Sequence, residues 1–267
     1  MTAYVPLDGR PFRLTMGLRP LDISQWFERD DEWDIQLSLK RNLVATKRRE
    51  VVAVTPTCDA AAHELVDRVA PFGSTTVVDD HPLVCASTMV PDDLCIMEFD
   101  GANWRLTGAV VCFPSRWSLL EKIGTTLDEI HGPVPGYATE LRQPTTTFFH
   151  RLRADRPMWR LNWTLLDNPE LFQPHPERRA VTGDPASWWF RVERQTLVRL
   201  PTTDAIVFTI RTYVTSLPTL VKNRTDVKDM LLTALETAPD DSKTYKGWHG
   251  VAEALRPWLT SEDRLPH

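Results

Sequence analysis

The chain of 267 residues has few cysteines, and their spacing excludes the common cysteine-based sites. No two of them form a C-x-x-C pair, so a zinc knuckle and a dithiol redox motif are not expected. The chain also lacks the cysteine set that an iron–sulfur cluster needs. We expect reduced, mostly buried thiols. The cysteines are Cys58, Cys85, Cys95 and Cys112.

The motifs of nucleotide-binding proteins and of the common hydrolases are also missing. No G-x-G-x-x-G follows a predicted strand, and neither G-x-x-x-x-G-K-[ST] nor G-x-S-x-G occurs. The pair His63-Glu64 begins like a zinc-protease helix but lacks the second histidine. Dinucleotide, ATP-binding and familiar hydrolase chemistries are therefore not predicted.

The chain has no excess of positive charge and no long apolar run. Its formal net charge is -5 and its pI is about 5.8, which gives no electrostatic reason to expect nucleic acid or an anionic membrane as a partner. No apolar run approaches the ~18 residues of a membrane span, and the start "MTAYVPLDGR" does not resemble a signal peptide. With 42% hydrophobic and 25% charged residues, we expect an ordinary soluble protein of the cytoplasm.

What is present is an order of elements that indicates an α+β fold. A helical leader is followed by two strands around the turn signal Asp100-Gly101, then by short helices, three strands and a helical tail. A five-stranded antiparallel sheet with short helices between its second and third strands has the order of a PAS domain. The last three strands are predicted at 157–166, 187–201 and 205–214.

This order also predicts how the chain is divided. We expect a helical and extended region at 1–83 that packs on a PAS-like core at 84–216. A helical extension at 217–267 follows, and the three parts are expected to form one compact domain.

The segment 115–131 predicts two short helices between the second and third strands. Trp117 lies on the apolar face of the first helix, which Gly124 ends. Thr126 and Glu129 then form a capping-box pattern for the second.

His131 ends that second helix in the stretch "IHGPVPGY", because Gly132 and Pro133 follow at once. It shares an apolar face with Leu127 and Ile130, which have helical spacing to it. The residues alone leave two uses open. The histidine could cap the helix end by facing its free carbonyls, or it could ligate a metal.

Charged residues within otherwise hydrophobic strands are a second signal. Arg191, Glu193 and Arg194 lie in "SWWFRVERQTLVRLP", and Arg211 precedes Tyr213 in "AIVFTIRTYV". A buried charge in a sheet is costly unless it is paired or used. The alternatives are solvent-facing or structurally paired residues on the one hand, and a polar pocket on the inner face of the sheet on the other.

Several separated segments resemble one known family. The stretches "VCFPSRWSLLEKIGTTLDEIHGPVPGY", "RLNWTLL", "RVERQTLVRLP" and "AIVFTIRTYV" are similar to the haem-dependent oxidative N-demethylase alpha-subunit family. "MGLRPLD" and "DLCIME" match in the same order, so the resemblance covers most of the chain. It implies a PAS fold that carries haem b in a pocket formed by the short helices, with helical extensions at both ends.

The resemblance also implies roles for individual residues around the haem. His131 would ligate the iron through one ring nitrogen while the other donates to a carbonyl or carboxylate. Trp117 and Tyr137 of the same motif are expected to contact the cofactor, and Arg211 to anchor a propionate. The competing histidines do not match the motif; they are His150, the second choice because of its aromatic neighbours, and His63, His81 and His175.

On the substrate side, the family's chemistry calls for groups that polarise O2, place an amine and handle protons. Glu193 is expected to accept a hydrogen bond from an ammonium group or to relay a proton. Arg191 and Arg194 are expected to donate hydrogen bonds to oxygen or to a propionate. Tyr213 is a further candidate.

The resemblance implies a monooxygenase that converts dimethylamine and O2 to methylamine and formaldehyde. Electrons would come from NADPH through separate reductase subunits bearing FMN and a 2Fe-2S cluster, with tetrahydrofolate associated with the complex. Association into a homo-oligomer stays open. The alternatives are an oxygenase with another substrate from specialised metabolism, or a haem-PAS gas or redox sensor, although no output-module motif accompanies this chain.

Overall fold

The computed structural model describes residues 4–74, 77, 81–175 and 180–260, which form an α+β fold around one antiparallel sheet. Its strand order is β1-β5-β6-β7-β3-β4-β2. All five predicted strands are present. The strands are β1 (Arg19–Pro20), β2 (Val52–Val54), β3 (Asp93–Phe99), β4 (Trp104–Val110), β5 (Met158–Leu166), β6 (Trp189–Arg199) and β7 (Ile206–Ser216).

The described residues add two short strands that the sequence did not predict. β1 pairs with β5 at one edge of the sheet, and β2 pairs with β4 at the other. Strands of two and three residues are too short to show an alternating pattern, so hydropathy could not reveal them. Over the described residues, the expected sheet of five strands is therefore one of seven.

Ten α-helices surround the sheet in the part of the chain that is described. The predicted helices at the two ends of the chain are confirmed, including Asp59–Val69, which buries Ala61, Leu65 and Val69. None of the described helices is long and apolar enough to cross a membrane. The helices are α1 (Trp33–Thr46), α2 (Arg48–Val51), α3 (Asp59–Val69), α4 (Pro82–Ser87), α5 (Leu127–His131), α6 (Arg142–Arg151), α7 (Leu217–Asn223), α8 (Val227–Thr237), α9 (Asp240–Lys246) and α10 (Val251–Thr260).

One predicted helix is wrong. The segment from Ser115 to Gly124 contains only a 3-10 turn, Leu119–Glu121, instead of a helix. Its start is extended because Ser115 forms a bridge with Gln173, to whose carbonyl the Arg116 amide donates at 2.8 Å. These long-range hydrogen bonds replace the helical ones that the local pattern favoured.

The two faces of the sheet carry different layers. We call the side bearing Arg191, Glu193 and Gln195 the cavity face, since it lines a large cavity under α5 and α6. The other side, the opposite face, packs against α1, α3 and α4 in a buried hydrophobic cluster that includes Leu94 and Val198. A further cluster joins α7, α8 and α10 to the ends of β5 and β6. The division of the chain at 83 and 216 stays a prediction.

Candidate functional site

A cavity of about 590 Å³ lies between the cavity face and the segment that contains α5 and α6. This volume is within the range of cofactor and small-molecule sites, about 300–1,000 Å³. One part of its wall is apolar and includes Met97 of β3, Leu197 of β6 and Phe208 of β7. Polar and charged side chains are concentrated where β5 and β6 pair.

His131 reaches the cavity from the C-terminal end of α5. The capping box that starts this helix is confirmed, since Thr126 Oγ1 accepts from the Glu129 amide at 3.2 Å and the Glu129 carboxylate accepts from the Thr126 amide at 2.7 Å. Leu127 and Ile130 line the same cavity, as the helical spacing predicted. The short helix therefore presents His131 on the expected apolar face.

The hydrogen bonding of His131 determines which ring nitrogen is available. Nδ1 lies 2.9 Å from the Leu127 carbonyl, which can only accept, so Nδ1 carries the proton. Burial lowers the pKa of this histidine, which favours the neutral imidazole. The Tyr137 ring stacks on it with centroids 5.0 Å apart, and the Tyr137 hydroxyl donates to Asp128 at 2.8 Å. Nε2 is thus an unprotonated nitrogen on a ring held in place.

The backbone is unusual on both sides of this helix. Tyr137 begins a π-helical turn, Tyr137–Leu141, directly after Gly136, whose φ of 76° belongs to the left-handed region. Arg116, next to Trp117 in the cavity wall, has a φ of 60°, which is uncommon for a residue other than glycine. Such conformations and π-turns concentrate at functional sites. Trp117 and Tyr137 both line the cavity.

A polar group stands on the sheet wall of the cavity. Glu193 Oε2 accepts from Gln195 Nε2 at 3.0 Å and from Asn162 Nδ2 at 3.3 Å. Its other oxygen, Oε1, lies 3.6 Å from Arg191 Nε, too far for a hydrogen bond. Glu193 therefore has one oxygen fully engaged and one that can accept from a ligand.

Arg191 is fully buried beside Glu193 and is held by backbone carbonyls. Its guanidinium donates to the carbonyl of Phe113 at 2.5 Å and to that of Leu171 at 3.3 Å. The Phe113 amide in turn donates to Asp93 at 2.9 Å. Burial lowers the pKa of Arg191, and the nearby Glu193 and Asp93 oppose that shift. These contacts hold a cation in the cavity wall.

The other predicted residues of β6 and β7 do not line this cavity. Arg194 pairs with Arg211, and Tyr213 with Val192, so their side chains lie on the opposite face. Arg194 contacts Glu28 at 3.1 Å, and Arg211 donates to Asp30 at 2.8 Å. Residues of the N-terminal region thus engage them. Strand alternation placed Arg211 and Tyr213 together, but only the packing of α1 and its preceding loop decided which face they share.

Tyr213 belongs to the same buried network. Its hydroxyl donates to Glu28 Oε2 at 2.6 Å, and the Tyr4 hydroxyl donates to Glu28 Oε1 at 2.5 Å. Burial and the nearby Glu28 carboxylate raise the pKa of Tyr213 well above its usual range. The phenol therefore stays protonated at neutral pH and serves as a hydrogen-bond donor to Glu28.

We expect replacement of Arg211 by methionine to destabilise the fold by about 3 kcal/mol without changing ligand binding in the cavity. The side chain is fully buried, and its loss leaves Asp30 largely buried without its partner. Urea unfolding measures the change. Arg153→Met is the control, because its pair with Asp155 is exposed and screened by solvent and therefore adds little to stability. Equal effects of the two substitutions would contradict this role.

Asp92 carries a second prediction for the same network. It is fully buried, neither carboxylate oxygen has a hydrogen-bond partner among the described residues, and burial raises its pKa to about 6. The pKa of an aspartate in the unfolded chain is about 3.9. The buried negative charge therefore lowers the stability of the folded state above pH 6, whereas below pH 4 the carboxyl is protonated in both states and has no such effect. As the pH rises from 4 to 8, the free energy of unfolding of Asp92→Asn is expected to increase by about 3 kcal/mol relative to that of the native chain. Urea unfolding at both pH values tests this; a pH-independent difference would contradict it.

The competing histidines lie elsewhere. His150 contacts Phe99 and Trp104 outside the large cavity, while His63 and His175 are exposed. His81 caps α4, since its Nδ1 accepts a hydrogen bond from the Leu83 amide at 3.2 Å. The proton of the neutral ring is therefore on Nε2, which lies 3.2 Å from Asp59 Oδ1. Although Cys58, Asp59 and His81 are close enough to enclose a cation, that protonated nitrogen is no ligand.

Among the residues that sequence reasoning missed are Arg160 and Lys246 and one segment of the cavity wall. Arg160 had a signal, because it is a charged residue in the apolar strand "PMWRLNWTLL". Lys246, in the short helix α9, had none. The segment at 12–18 is extended, and every second side chain lines the cavity while those between are exposed; the lining residues are Phe12, Leu14, Met16 and Leu18.

The chain matches the model of a known protein family. A family model described as "Haem-dependent oxidative N-demethylase, alpha subunit-like" matches residues 17–76 and 68–256. The matched residues cover β1 to most of α10 and include every residue discussed at the sheet wall of the cavity.

Proposed function

The chain belongs to the haem-dependent oxidative N-demethylase alpha subunit-like family, as its sequence motifs predicted, and we propose its function on this basis. The proposal is that it binds haem b through His131 and oxidatively demethylates a small secondary amine such as dimethylamine. The observation that carries it is the state of His131: Nδ1 donates to the Leu127 carbonyl, and the unprotonated Nε2 belongs to a residue that lines the cavity.

The residues around the cavity fit a haem. A neutral histidine whose other ring nitrogen donates to a backbone carbonyl is the usual arrangement of a metal-bound imidazole. The apolar wall suits the porphyrin, and Trp117 and Tyr137 add flat aromatic surface. Cationic side chains in the wall suit the two propionates. When bound, the haem would supply the reductive activation of O2.

The fold also supports this proposal. The five longer strands run in the order β5-β6-β7-β3-β4, and α5 and α6 lie in the connection between β4 and β5. In chain order these two helices lie between the second and third of the five strands, which is the order of elements from which a PAS-like core was predicted. The short edge strands β1 and β2 extend the sheet. We propose that the cavity between these helices and the sheet is the haem pocket.

Glu193 and Arg191 would position the amine. A secondary amine is an ammonium ion at neutral pH, and Glu193 Oε1 can accept a hydrogen bond from it, since Oε2 is engaged by Asn162 and Gln195. In that role Glu193 also holds the proton that the amine must lose. Arg191 forms an ion pair with Glu193 and is itself held by the Phe113 and Leu171 carbonyls.

The overall reaction requires a reductant. Dimethylamine, O2, two electrons and two protons balance methylamine, formaldehyde and water. The chain has no cysteine set for an iron–sulfur cluster and no dinucleotide motif. We therefore propose that the electrons come from partner subunits carrying FMN, a 2Fe-2S cluster and NADPH, with tetrahydrofolate in the complex. The family description, which names an alpha subunit, supports such an assembly.

The absorption spectrum of the protein produced with adequate haem tests the proposal. A Soret band that shifts on reduction with dithionite and again with CO is expected, followed by a spectral change on adding dimethylamine. Formaldehyde formation with an added reductase separates an enzyme from a gas sensor. A protein that takes up no haem during titration would refute the haem function.

A further inference from the structure

Arg160 is a cation of the cavity wall that lacks a hydrogen-bond partner among the described residues. It lies on β5 directly opposite Gln195, and its Nε is shielded from solvent. Within the part of the chain that the structure describes, its guanidinium forms neither a hydrogen bond nor an ion pair. The side chain is half-buried, and a partly desolvated guanidinium without a partner is costly. An arginine without an anionic partner in a cavity wall indicates that the cavity binds an anion there.

Glu193 does not supply that anion. Its ion pair is with Arg191, and its second oxygen is engaged by Asn162 and Gln195. Its charge still favours the protonated form of Arg160, which burial opposes. Arg160 is therefore near Glu193 but not bound to it, and the four N–H donors of its two terminal nitrogens have no partner among the described residues.

Lys246 is a second cation in the same wall. Its ammonium donates to the Trp163 carbonyl at 2.8 Å and lies 4.9 Å from the ring centroid of Trp248. One donor is used, and two remain for a ligand. Burial and the nearby charge of Arg160 lower the pKa of Lys246 to about 8, while Glu193 opposes that shift. Two cations repel each other here unless an anion is shared between them.

We propose that Arg160 and Lys246 form a carboxylate-binding subsite beside Glu193. Arginine binds carboxylates through two parallel N–H groups, and lysine adds a point charge. The carboxylate has two sources: a propionate of the haem, or the substrate itself. In the second case the substrate is an N-methylated amino acid, whose ammonium group would donate a hydrogen bond to Glu193. The identity of the carboxylate rests on the proposed function, whereas the existence of the subsite does not.

Two titrations of the haem-free protein distinguish the sources. The first follows the Soret band on adding haem or its dimethyl ester, in which both propionates are blocked. The second follows tryptophan fluorescence on adding N-methylglycine or dimethylamine, since Trp163 and Trp248 flank Lys246. Each is run on the native chain, Arg160→Gln and Lys246→Gln, with Arg153→Gln as an exposed matched control.

If the source is the cofactor, both variants are expected to bind haem about 10- to 100-fold more weakly, with binding of the dimethyl ester unchanged. If the source is the substrate, they bind N-methylglycine more weakly by a similar factor, with the response to dimethylamine unchanged. Native affinities in both titrations would overturn the subsite.

Arg160→Lys, which keeps the charge, is expected to show a smaller loss and replaces Arg160→Gln if that variant does not fold. A native chain that takes up no haem would refute the proposed function, while the N-methylglycine titration would still decide the subsite.

Discussion

Replacement of His131 by alanine is expected to abolish haem retention while the protein stays folded. The imidazole provides the unprotonated nitrogen of the cavity, and alanine offers no ligand to the iron. The side chain is half-buried at the end of a five-residue helix, and its own hydrogen bond is to Leu127 in the same helix. The substitution therefore removes few contacts with the rest of the fold.

The measurement is the Soret absorbance per protein after haem titration and gel filtration, with far-UV circular dichroism to establish folding. His150→Ala is the matched control, because that histidine also has aromatic neighbours but lies outside the large cavity. The control should retain haem. Native haem content in His131→Ala would rule out this residue as the ligand and leave it a helix cap.

Replacement of Glu193 by glutamine is expected to slow amine oxidation by about 10²–10⁴-fold with haem content unchanged. The glutamine oxygen can still accept from Asn162 and Gln195, so the shape of the wall is retained. What is lost is the negative charge that binds an ammonium and holds its proton. Formaldehyde formation with an excess of reductant measures the rate.

Glu121→Gln provides the control, because it removes a carboxylate that also lines the cavity but is exposed. Its rate should stay near the native one. An amine-induced spectral shift that is lost in Glu193→Gln and kept in Glu121→Gln would assign substrate binding to Glu193. Equal activity of Glu193→Gln and the native chain would contradict this role.

The hydropathy pattern was sufficient for the longer elements. Strands β3 to β7 alternate or run apolar over seven or more residues, which is long enough to predict them from the chain alone. The capping box at Thr126 and the Gly-Pro pair after His131 likewise determine α5 from local interactions. The helix expected after Ser115 was wrong because a bridge to Gln173 competes with it, and that partner is distant in sequence.

The sequence by itself determined which side chains share a face and that His131 lies on an apolar helical surface, because both follow from the periods of strand and helix. It could not decide which face of the sheet would line a cavity. Arg191 and Arg194 are equally charged and only three residues apart, yet one lines the cavity and the other contacts Glu28 on the opposite face. Only tertiary packing separates them, since the helix layers that cover each face come from distant parts of the chain. The same packing placed Arg160 and Lys246 in one wall, which no local pattern could reveal.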